Sequence, residues 1–112
     1  MNDMSQPPAV FQVTFNTERV ETTMFGTVTV SEIPSRRLAK LYQDHNPEAD
    51  GQSFGFALLC ECVTGEHGER FTNAVLESLP NRALADMKKL TQAAVRLNGT
   101  DQVEVEKASP LP

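Results

Sequence analysis

Both cysteines and one of the two histidines of this 112-residue chain fall within FGFALLCECVTGEHGERFT, residues 54–72. Cys60, Cys62 and His67 are residue types that hold zinc or iron, or that supply a thiolate nucleophile. Their spacing argues against a metal. Residues two apart on a helix point about 200° away from each other, so Cys60 and Cys62 cannot share an ion unless the helix ends between them. A structural zinc site takes four ligands, and the remaining supply is a distant His45 with Glu61 and Glu66 as weaker donors. Cys62, four residues after Leu58, fits better as a small apolar side chain in a core. His67 falls at the tip of a Gly-rich turn, Thr64-Gly65-Glu66-His67-Gly68. The spacing therefore predicts neither a metal nor a cofactor.

Other chemistry finds less support. A cysteine nucleophile needs a base close to an exposed thiol, and a histidine on a turn is a poor base for that role. Carboxylates pair at Glu66 and Glu69 and at Glu104 and Glu106, both in stretches read as solvated. The chain has no Gly-rich phosphate loop with a following Lys and no G-x-S-x-G elbow. The residues predict a binding protein, not an enzyme.

Charge narrows the partners. Fifteen acidic side chains against ten basic ones leave a net charge of -5 at pH 7. Nucleic-acid binding needs a basic face that releases phosphate counterions, and an anionic membrane surface repels an acidic chain. No apolar run approaches the roughly 18 residues of a membrane span. The start, MNDMSQPPAV, has neither the basic end nor the apolar stretch of a secretory signal. The expectation is a soluble, cytosolic protein with reduced thiols.

The elements that position these residues follow from periodicity. Residues 1–8 and 100–112 are polar and Pro-containing, and are expected to be tails, with Val103 and Val105 in the alternation of a strand that pairs against a partner. Residues 9–99 are expected to form one domain. Strand spacing is read at 10–15 and at 24–30, where Val28 and Val30 point one way and Thr27 and Thr29 the other. A strand pair this small needs packing on its apolar face. Helices supply it. One opens at Pro34-Ser35 with Leu38, Leu41, Tyr42 and His45 on a stripe, and Asn46-Pro47 is read as the cap and first residue of the next. The stretch 54–63 is apolar on every side and is expected at the centre. A short helix starts at Thr72-Asn73. A last one, 81–97, carries Leu84, Met87, Leu90, Ala94 and Leu97 on one stripe and ends at Asn98-Gly99. The fold class is α+β, mainly helical: an N-terminal antiparallel strand pair packed on a bundle of three to four helices.

The order of pieces in residues 56–99 is more specific than any piece alone. Leu58-Leu59 and Cys62-Val63 lead into the turn from Gly65 to Gly68. Phe71-Thr72 follows, then Leu79, then the closing Ala93-Ala94-Val95-Arg96-Leu97-Asn98-Gly99. In spacing and order this run resembles the tail assembly chaperones of long-tailed bacteriophages. The first half is similar in layout only. The turn, with His67 and Arg70 beside its glutamates, is less acidic than the family's usual form.

The resemblance implies a role in virion morphogenesis, in the host cell cytoplasm and outside the mature virion. Such chaperones hold the long helical tape measure protein in solution and help recruit tail tube subunits, without cofactor or turnover. It also implies weak self-association, expected here through exposed apolar helix faces. The surface expected to engage the tape measure protein is the last helix with the apolar helix before it, with Leu84, Met87, Leu90 and Arg96 as the contact residues. A different reading of the same composition is a small acidic regulatory module that binds one partner and has no assembly role.

Overall fold

Val20, Val28 and Val30 set the register of the sheet. A computed structural model of the chain describes residues 9–99. The expected tails 1–8 and 100–112, with the pairing of Val103 and Val105, lie outside the described residues. Strand β1 (Thr17–Glu21) pairs antiparallel with β2 (Thr27–Ser31), with Val20 opposite Val28 and Glu18 opposite Val30. Those three valines are buried, whereas Thr27, Thr29 and Ser31 stay half-exposed on the other face. The turn between the strands is closed by Thr22, whose N–H and hydroxyl both donate to Gly26 O at 2.9 and 2.7 Å. Gly26 takes φ +70°, a left-handed conformation that a Cβ disfavours.

The first strand was expected at 10–15 and lies instead at Thr17–Glu21. The cause is where β2 runs out of donors. Glu32 N–H goes to Asn16 O, Ile33 N–H goes to the Asn98 side chain, and Pro34 has no N–H to give. The apolar run 10–15 therefore lies beyond the ladder, and the pairing falls on TERVE, which has one apolar residue. A third strand was not expected. Val63 leaves the preceding helix at φ -104°, ψ 132°, and β3 (Val63–Thr64) pairs antiparallel with β2, which becomes central in the order β1-β2-β3.

Helix α1 (Ser35–Asp44) starts behind Pro34 and buries Leu41, with Leu38 and Tyr42 partly covered. Asn46 was expected to cap the next helix. It closes a turn of its own instead, accepting Glu48 N–H on its side chain and the N–H groups of Ala49 and Asp50 on its carbonyl. This local bond is the habit of Asn ahead of a loop. Asp50 caps α2 (Gly51–Cys62) by accepting from Ser53 N–H at 3.1 Å. Helix α2 buries Phe54, Leu58, Leu59 and Cys62 and is central, as its apolar girth requires. Thr72 caps the short α3 (Asn73–Glu77). The expected helix over 81–97 divides into a 3-10 turn, Asn81–Ala83, and α4 (Leu84–Leu97). Gly99 at φ +73° follows its end.

Helix α4 packs on α2 and on both β1 and β2, so the core sits between sheet and helices: an α+β fold, mainly helical. Three polar side chains lock these pieces. Asp86 of α4, buried to 6%, accepts Met24 N–H at 2.8 Å and Thr23 N–H at 3.1 Å, which fastens the hairpin turn to α4. Asn98 accepts Ile33 N–H and donates to Ala94 O, both at 2.9 Å. Arg70 reaches Glu61 O at 3.0 Å and Cys60 O at 3.3 Å, satisfying carbonyls that the end of α2 leaves open. Among the described residues no helix is long and apolar enough to cross a membrane.

Candidate interaction surface

Cys62 sits in the core with no exposed surface, and Asn98 Nδ2 lies 3.5 Å from its Sγ. Burial pushes the thiol up to about 11, against a smaller lowering by the Asn98 contact. Cys60 is half-buried, and burial followed by the neighbouring Glu61 charge raises it too. Thiolate is therefore scarce at neutral pH, which is the reverse of what an activated nucleophile needs. His67 stands on the exposed turn beside Glu69, 3.6 Å away. Among the described residues no three His, Cys, Asp or Glu side chains gather where an ion could be held.

One pairing with chemical potential was not read from the sequence. His45 Nδ1 lies 2.6 Å from Ser53 Oγ. The nearby Asp50 carboxylate accepts from Ser53 N–H, so it does not orient the imidazole as a catalytic triad would. The bond ties the end of α1 to the start of α2, across a loop of six residues.

The four candidate contact residues fall into three environments. Leu90 is fully buried and Met87 nearly so, and both pack in the core. Leu84 is 60% exposed at the start of α4. Arg96 is exposed near the other end, roughly 18 Å along the axis at 1.5 Å per residue. It is not free: its guanidinium holds both oxygens of Glu18 on β1, at 2.6 and 2.8 Å. Leu84 and Arg96 therefore do not belong to one patch.

Leu84 opens onto a depression of about 250 Å³ where α2, α3 and α4 meet, lined also by Phe56, Leu76, Leu79 and Met87. Its lining is mixed: Gln52, Glu77 and Asn81 also line it, and polar surface outweighs apolar there. A second depression, about 280 Å³, lies beside β3 and is walled by Met24, Val63 and the edge-to-face rings of Phe25 and Phe71, 5.0 Å apart. Charged Glu69 and Arg70 also line it. Neither shape brings together acid, base and nucleophile. The one beside β3 is the more apolar of the two and suits an apolar side chain, whereas the one under Leu84 offers an apolar residue among polar neighbours. No family model, curated protein or solved structure matches this chain.

Proposed function

We propose that this chain is a tail assembly chaperone that holds a tape measure protein in solution during phage tail assembly and helps recruit tail tube subunits. The reading rests on the resemblance carried by residues 56–99, and one structural observation supports it. Leu84, 60% exposed, stands over a depression of mixed lining built from α2, α3 and α4, the elements in which the resemblance lies, with Phe56, Leu76 and Leu79 beside it. Such a depression accepts one anchor side chain of an amphipathic helix, and a long helical partner offers many anchors. Binding per site would be weak, and copies would line up along the partner. A net charge of -5 keeps a chain so loaded from associating without limit. The proposed place of action is the host cytoplasm, before the virion is complete.

Co-expression with the tape measure protein of the same genome tests the reading. Wild type is expected to co-purify with it. Leu84→Glu is expected to stay folded, because exposed substitutions usually shift stability by less than about 0.5 kcal/mol, and to lose the partner. A wild-type chain that never binds contradicts the function. Binding undiminished in Leu84→Glu contradicts this placement of the surface.

A further inference from the structure

Residues 9–16, AVFQVTFN, form no element, and from Ala9 to Phe15 none hydrogen-bonds to another described residue. Phe11 is 98% exposed, Val13 76%, Val10 70% and Phe15 46%. Yet the stretch alternates apolar and polar from Phe11 to Asn16, which is the pattern of a strand with one covered face. A strand pattern without a ladder is an open invitation to pairing.

An acceptor lies next to it. Thr22 N–H bonds Gly26 O and Glu32 N–H bonds Asn16 O, so even-numbered residues of β1 turn their backbone groups towards β2. Thr17, Arg19 and Glu21 turn theirs outward, along the free edge of the sheet. Lys89 Nζ covers Glu21 O at 2.8 Å. Among the described residues, no strand lies beside the outward groups of Thr17 and Arg19.

We propose that residues 11–19 pair antiparallel with the same residues of a second copy, joining two three-stranded sheets through their β1 edges. If the arm continues β1 in phase, its outward groups are those of residues 11, 13 and 15. The register then has its two-fold axis at Phe15, with Val13 opposite Thr17 and Phe11 opposite Arg19 of the other copy. Three observations favour a second copy over a foreign strand. The chain carries both donor arm and acceptor edge, and two-fold pairing satisfies both in each copy at once. Residues 9–16 bear no charge, so two chains of -5 each can meet there without opposing like charges. In this register Phe15 stands against Phe15 of the second copy, and Val13 and Phe11 gain Thr17 and Arg19 as cross-strand neighbours, so these exposed apolar side chains of the arm meet partners along the seam. The pairing is independent of the tail-chaperone reading.

Sedimentation equilibrium of the full chain, with amide exchange followed at several concentrations, tests it. The expected result is a monomer–dimer equilibrium in which the Thr17 and Arg19 amides gain protection as concentration rises. Phe15→Asp opposes two like charges on the axis and should weaken the dimer about tenfold or more. Arg19→Pro removes an outward N–H while sparing the donors used by β2, and should do the same. Circular dichroism of Phe15→Asp, altered only at an exposed arm residue, establishes that the domain is folded. A wild type that remains monomeric at millimolar concentration overturns the proposal. So does a folded Phe15→Asp that dimerises like wild type, or a dimer that leaves the Thr17 and Arg19 amides unprotected.

Discussion

Cys62 is a residue whose role the sequence already carried: four after Leu58, with apolar neighbours, it had to be a core side chain, and it has no exposed surface. Its chemistry follows. The folded thiol titrates at about 11, above an ordinary cysteine at about 8.5. The folded state therefore favours the protonated form, and the associated stability is complete below the unfolded value. It is lost as pH rises through about 11. Stability to urea should fall over that alkaline range, and less steeply in Cys62→Ala. A thiol reagent at pH 8 should modify Cys60 first and Cys62 only when denaturant is added. Equal rates for both would contradict the burial. Asp86 and Asn98 were not legible in the same way. Each is an ordinary polar residue on or after a helix, and each becomes structural only through partners more than sixty residues away.

At the scale of elements, long periodic stretches were readable and short ones were not. Helices α1 and α4 follow from their stripes, α2 from its apolar girth although Asp50 and not Asn46 caps it, and the α3 start from Thr72. The error over β1 has a physical origin: residues 10–15 have the better strand composition, but Gly26 and Pro34 fix where a ladder on β2 begins and ends. β3 is two residues long and was hidden behind the apolar run of α2. The joint between hairpin and α4 rests on Asp86. Removing that carboxylate strands the partly buried N–H groups of Thr23 and Met24, and a hydrogen bond to a charged group contributes about 1.5–3 kcal/mol. Asp86→Ala is accordingly expected to lose about 2–3 kcal/mol in urea unfolding. A loss no larger than that of an exposed alanine substitution would show the joint to be unimportant. Which part of the last helix the sheet covers was equally invisible, because one stripe on a helical projection does not say it.

Among its described residues the chain, of net charge -5 overall, turns outward the depression under Leu84 and the apolar arm at 10–15, besides the depression beside β3. On the readings proposed above, the first would take a helical partner and the second a copy of the chain, and a protein so equipped would coat a long polymer by weak, repeated contacts. Sequence alone placed Leu84, Met87, Leu90 and Arg96 together at a partner surface, since a stripe reads the same against a core or a groove. Leu90 is fully buried, and Met87 lines the depression while packing in the core. The most direct measurement of the chaperone reading is the solubility of the tape measure protein expressed with and without this chain. The account predicts that the partner is aggregated alone, and that it stays in the supernatant in complex with the chaperone when wild type is supplied. A tape measure protein equally soluble, or equally aggregated, in both cases would contradict it.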